Sequence, residues 1–131
     1  MQDEELTDQI IKAYFTVYNT LGFGFMEKVY ENALAMELLM IGLSVRQQER
    51  VNVFYKNNVV GEYWADIQVN EKVILELKAA EKLRDEHRCQ LVNYLRATTC
   101  EIGLLLNFGR VPEIRRVLYQ NVYKKAYSFR R

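Results

Sequence analysis

The chain has 131 residues, enough for one domain with a real core and too few for two ordinary ones. Half of the residues are hydrophobic and 27% are charged, which excludes a disordered chain, and one proline with six glycines leaves nothing to build a linker. The net charge of +1 conceals a basic end: from Leu106 onward seven Lys or Arg stand against Glu113 alone, a net +6, and the residues before carry −5.

Leu6, Ile10, Tyr14, Val17 and Leu21 recur at helical spacing, so a first helix is expected over residues 6–21 with Thr7 or Asp8 near its cap. The stretch GFGF (Gly22 to Phe25) breaks that pattern. A second helix then runs to about Ile41, with Met26, Val29, Ala33, Met36 and Met40 as its expected inner stripe and Gly42 as its end.

From Arg50 the period becomes alternating. A strand is expected over 50–56, a turn at Asn57-Asn58, a second strand over 59–69 and a third over 73–79, together an antiparallel meander. Helical spacing returns over 85–98, with Leu91, Val92 and Leu95 available to pack inward. The apolar run EIGLLLNF (101–108) suggests a strand buried on both faces. EIRRVLY (113–119) fits strand or helix and is assigned here to a strand; the basic tail beyond it is helical or loose. The order is α-α-β-β-β-α-β-(β), an α/β domain with a mixed sheet spanning 1–131.

Cys89 and Cys100 are too few for a disulfide framework and form no Cys-x-x-Cys pair for zinc. No apolar run reaches the roughly 18 residues of a membrane span, and the acidic start MQDEELTD has the wrong charge for a signal peptide. The expected location is the cytoplasm, with no membrane partner. The basic end could hold a polyanion by its phosphates or could simply be solvated surface.

Charges inside ADIQVNEKVILELKAA (65–80) carry the chemical question, because the stretch otherwise reads as two buried strands. Glu76 and Lys78 share one face of the third strand. If the loop is Asn70-Glu71-Lys72, Val69 pairs with Val73 and Asp66 falls opposite Glu76; a two-residue loop would send the acids to opposite faces. In the first register the acids have Cβ atoms about 4.5 to 5.5 Å apart, a repulsive pair that makes sense around a cation such as Mg²⁺. Lys78 then reaches toward the same point, where it could orient a water or stabilise charge on a phosphate. A Glu-x-Lys triplet by itself is common by chance; the added acid gives it weight.

Asp66, followed after nine residues by Glu76-Leu77-Lys78, resembles the PD-(D/E)XK phosphodiesterase signature of the restriction-endonuclease-like fold, whose core order is α-β-β-β-α-β. An extra helix precedes that core here and a strand and tail follow it. GFMEKVY (Gly24 to Tyr30) matches the GxxExxY motif that names a family of small proteins assigned to this nuclease superfamily, and the resemblance covers about 6–119. It implies that Asp66 and Glu76 hold a metal, with the carbonyl of Leu77 a further ligand, and that Lys78 is the catalytic lysine. Glu27 is similar to the N-terminal acid that joins the metal directly or through water. Ala65 stands where the signature has proline, a change that many relatives tolerate.

Gln90 and Tyr94 resemble the Q-x-x-x-Y element of exonuclease relatives, which supports the active site and substrate phosphates, and His87 is the neighbouring group that could contact a leaving phosphate. Blander roles compete for three of these: surface for Glu27, packing for Tyr30 and a helix-end structural role for the lone His87.

The resemblance implies a Mg²⁺-dependent nuclease, with Mn²⁺ as substitute, acting on DNA ahead of RNA. The alternatives are a catalytically silent nucleic-acid-binding or protein-interaction module on the same fold, or a structural subunit with solvated acids. No separate recognition domain is visible, so strong sequence specificity would require a partner or a homodimer.

Overall fold

In the computed structural model, which describes residues 2–124, α1 spans Glu4–Leu21 and buries Thr7, Ile10, Ala13, Tyr14 and Val17. It begins before the expected caps, with Asp3 at the cap position and Glu4 and Glu5 in the first turn, where acids complement the helix dipole. Thr7 therefore lies inside the helix, its hydroxyl donating to the carbonyls of Asp3 and Glu4 at 3.3 and 3.0 Å.

Gly22 and Gly24 take φ of +68° and +117°, conformations a side chain would resist, and the chain turns there into α2, Glu27–Met40. The expected stripe of α2 is out of phase. Tyr30, Glu31, Leu34, Ala35 and Leu38 face inward, whereas Met26, Val29, Met36 and Met40 are exposed and Ala33 is half-buried. Apolar residues lie on several sides of this helix and Glu31 lies on the inner one, so hydrophobicity alone could not choose its inner face. The bulkier Tyr-Leu-Leu line packs on the sheet.

The strands are β1 (Val45–Tyr55), β2 (Asn58–Val69), β3 (Val73–Lys78), β4 (Ile102–Asn107) and β5 (Glu113–Leu118), in the spatial order β1-β2-β3-β4-β5. Among the described strands only β3 and β4 pair in parallel, joined by α3, Asp85–Arg96. β1 starts earlier than expected because polar residues Arg46, Gln47 and Glu49 pair at the sheet edge with the end of β2. The hairpin turn is Lys56-Asn57, both at positive φ, one residue before the expected position.

Alternation sorts the core into two layers. Val73, Leu75 and Leu77 of β3 meet Leu104 and Leu106 of β4 beneath α1 and α2; Ile74 and Leu105 meet Leu91 and Leu95 of α3 on the other face. Each fully buried leucine of this kind contributes about 1.5–3 kcal/mol. By the same alternation Glu76 and Lys78 point toward the α3 layer.

The β1–β2 arm does not keep one face throughout. Ile67 and Val69 pack under α1 and α2, but Ala65, with the same parity, joins the α3 cluster. The ribbon thus turns over near Asp66. There the β2–β3 ladder ends at Ile67↔Leu75, and Gln48, between the pairs Gln47↔Ile67 and Glu49↔Ala65, has φ of 52°.

Candidate active site

The β2–β3 loop is the three-residue one: Val69 pairs with Val73, and Asn70 and Glu71 adopt the positive φ of 53° and 57° that the tight reversal demands. Asp66 therefore faces Glu76. Their contact is reciprocal, since the Asp66 N–H donates to Glu76 Oε1 at 3.0 Å and the Leu77 N–H donates to Asp66 Oδ2 at 2.9 Å. Side chains replace ladder bonds here and split the strands. Leu77 has no ladder partner in β2, so its carbonyl, on the same strand edge as its N–H, points into the gap.

Each carboxylate keeps one lightly used oxygen. Asp66 Oδ1 receives only Gln48 Nε2, at 3.4 Å, and Glu76 Oε2 accepts no hydrogen bond among the described residues. Glu76 is 3% exposed; burial, reinforced by the charge of Asp66, pushes its pKa up to about 8. Burial raises Asp66 as well, and the ammonium of Lys78 pulls both acids back down. Two desolvated carboxylates with spare oxygens and a nearby carbonyl form a hard donor set that fits a divalent cation such as Mg²⁺.

Glu27 opens α2, and its Oε2 accepts the Ala79 N–H at 3.2 Å, immediately after Lys78. Its charge is among those that raise Glu76, although among the described residues no three His, Cys, Asp or Glu side chains converge as a metal-binding group. Tyr30 fixes the approach to Glu27. Buried and stacked on Phe108 at 4.4 Å, it donates its hydroxyl to Gly22 O at 2.6 Å and accepts the Phe25 N–H at 3.1 Å.

Lys78 Nζ reaches Gln90 Oε1 at 3.5 Å, and Gln90 Nε2 donates to Tyr94 Oη at 3.1 Å, so α3 brings Gln90 and Tyr94 to the lysine. Burial and the two acids push the Tyr94 hydroxyl up to about 12, which keeps it a neutral partner. His87 is engaged differently. Its Nδ1 accepts the Arg84 N–H at 3.0 Å and closes the first turn of α3, the structural role open to a histidine there.

Two contributors have no mark in the sequence. Glu31, one helical turn after Glu27, is 4% exposed, yet accepts from Lys28 at 3.1 Å, Gln47 at 2.8 Å and Gln48 at 2.9 Å. Its charge also helps raise Asp66. Gln48 bridges Glu31 and Asp66, and its left-handed backbone lies on an edge strand that pattern reading does not single out. Only the i, i+4 spacing of Glu27 and Glu31 could have pointed to the first of these.

This sheet order, with helices on both faces and an acid pair at a split hairpin, defines an α/β domain of the restriction-endonuclease-like class. The chain belongs to the PD-(D/E)XK nuclease superfamily, whose family model matches residues 4–117. Members of that superfamily generally use divalent metal ions and act on nucleic acid. No curated protein and no solved structure matches the chain.

Proposed function

We propose that the chain is a nuclease that hydrolyses phosphodiester bonds of nucleic acid, DNA ahead of RNA, with Mg²⁺ as its natural cation and Mn²⁺ as a substitute. The observation that carries this reading is the reciprocal contact between Asp66 and Glu76 with Lys78 two residues on. Within the superfamily we assign the chain to the GxxExxY proteins, as one domain over 1–131; the left-handed Gly24 and the anchored Tyr30 support that assignment.

Asp66, Glu76 and the Leu77 carbonyl are the cation's ligands in this reading, with Glu27 reaching the shell directly or through water. Bound there, a divalent cation would polarise the scissile phosphate and stabilise the charge that develops on it. Lys78 orients the attacking water for in-line displacement and adds positive charge beside the phosphate. Gln90, itself set by Tyr94, holds the lysine in place. His87, caught in its cap, is at most a neighbour of the leaving phosphate. A homodimer is the proposed source of any sequence specificity.

Purified protein is expected to cleave labelled DNA in Mg²⁺ or Mn²⁺ and not in chelator. Asp66→Asn or Lys78→Ala should lower the rate by at least about 100-fold, the lower end for a positioned proton-transfer or charge-stabilising group. Activity unchanged in both variants sinks the assignment. Cation-dependent binding without cleavage of any nucleic acid replaces it with a silent binding module.

A further inference from the structure

The cleft beside the acid pair has its own chemistry. It measures about 560 Å³ and is lined by Ala80, Glu81, Lys82, Arg84, Arg110 and Val111. Ala80 is two residues past Lys78, and Ala79 between them is hydrogen-bonded to Glu27, so one short segment joins the cleft to the acid site. Three cations and one acid line it, with the carboxylate of Glu113 close enough to feel the charge of Lys82. Neither Lys82, Arg84 nor Arg110 is in an ion pair among the described residues.

The rest of the described basic end is committed elsewhere. Arg115 pairs with Glu113 at 3.2 Å, Arg116 binds Thr7 and the Gln2 carbonyl, and Lys124 donates to the carbonyls of Thr98 and Cys100. Arg110 is thus the cation of that end that faces the cleft.

Arg110 also joins the cleft to an aromatic rim. Its guanidinium lies 5.0 Å from the ring centre of Phe23, which is 51% exposed; Phe25, two residues on, is 50% exposed. The alternating glycines turn both phenyl rings outward, and Tyr30 holds the loop that carries them. Tyr18 secures the Arg110 side, its hydroxyl proton shared between the carbonyls of Gly109 and Arg110 at 2.6 and 2.8 Å. Two half-exposed phenyl rings, Phe23 against the Arg110 guanidinium and Phe25 edge-on to Tyr30, make a poor surface for a duplex, whose bases are stacked on one another. They suit unpaired bases, each of which offers an open π-face.

Building on the nuclease reading, we propose that this cleft and the Gly-Phe-Gly-Phe rim bind a single-stranded segment of nucleic acid. Lys82, Arg84 and Arg110 hold its phosphates, Phe23 and Phe25 stack on its bases, and the strand is led toward Asp66 and Glu76. Glu81 is the repulsive element of the lining, and the surrounding cations outnumber it.

The test is fluorescence anisotropy of the full chain in chelator, with labelled single-stranded DNA, single-stranded RNA and a DNA duplex of one sequence. Single strands of either sugar should bind at least about tenfold tighter than the duplex. A Phe23→Leu/Phe25→Leu variant, which stays apolar and keeps the Tyr30 hydroxyl bonds to the loop backbone, should lose about 5- to 100-fold on single strands and little on the duplex. Phe23→Trp should preserve single-strand affinity, and Arg110→Ala should weaken all ligands and flatten the salt dependence. Equal affinity for the duplex, full single-strand affinity in the leucine variant, or no binding at all overturns the proposal. Preferential binding without cleavage in Mg²⁺ or Mn²⁺ leaves it standing and overturns the nuclease reading; cleavage with no strand preference does the reverse.

Discussion

The hydroxyl of Tyr30 serves as donor to Gly22 O and acceptor from Phe25 N, and so ties both ends of the glycine loop to the helix that begins with Glu27. Phenylalanine keeps the stack on Phe108 and removes both bonds. Tyr30→Phe is therefore expected to cost about 1–3 kcal/mol in urea unfolding, the penalty for stranding polar groups, and to lower cleavage by loosening Glu27 on Ala79. A variant with wild-type stability and wild-type cleavage would show that the loop needs no such tie. Glu31 illustrates what residue-by-residue reading misses: a helix glutamate becomes a buried acceptor only because two glutamines arrive from a strand 16 and 17 positions away. Their meeting is tertiary, and no local spacing encodes it.

Among the elements, the junction after β3 is held with the least slack. Asn107, fully buried at the end of β4, accepts the Ala80 N–H at 3.0 Å and donates to Ala80 O at 2.9 Å, while its own carbonyl accepts the hydroxyl of Tyr14. Gly109 passes so close that an added Cβ would stand 1.8 Å from the Ala80 carbonyl oxygen. Gly109→Ala should thus destabilise by about 1–3 kcal/mol or more and displace the Ala79 N–H from Glu27, which unfolding and cleavage rates would register together. Neither changing would mean that this junction yields freely. The hairpin next to it was readable in advance because a polar loop bounded by Val69 and Val73 admits few registers, and a slip of one would bury the wrong face. The inner face of α2 was not readable, because Met and Leu occupy both candidate stripes and only the sheet surface decides between them. The turning-over of the β1–β2 arm was also hidden, since it lies in Gln48's backbone and in the loss of ladder bonds at Asp66.

For the molecule as a whole, the acid pair makes stability depend on pH and on cation. The Glu76 carboxyl rises from 4.5 to about 8 on folding, and Asp66 moves in the same direction, so the metal-free folded state holds protons more tightly than the unfolded chain. That contribution is fully present below about 4.5 and is lost as pH climbs through about 8. Other groups act outside this window. Glu101 and Glu113, held below the usual carboxylate range by backbone N–H groups, favour folding only as pH rises through the acid range, and Lys124, lowered to about 8 by burial, favours it only above that value. Between about pH 5 and about pH 8 the chelated protein should therefore lose urea stability steadily, whereas Glu76→Gln, which retains an oxygen for the Asp66 N–H, should flatten the slope. Saturating Mg²⁺ should flatten the wild-type slope as well, because a cation bound to the ionised pair stabilises the folded state by mass action and does so most at high pH. If the chelated wild type and Glu76→Gln share one slope, the acids are solvated and the strands are not split by buried charge; if the slopes differ but Mg²⁺ leaves the wild type unchanged, the buried pair is real and holds no cation.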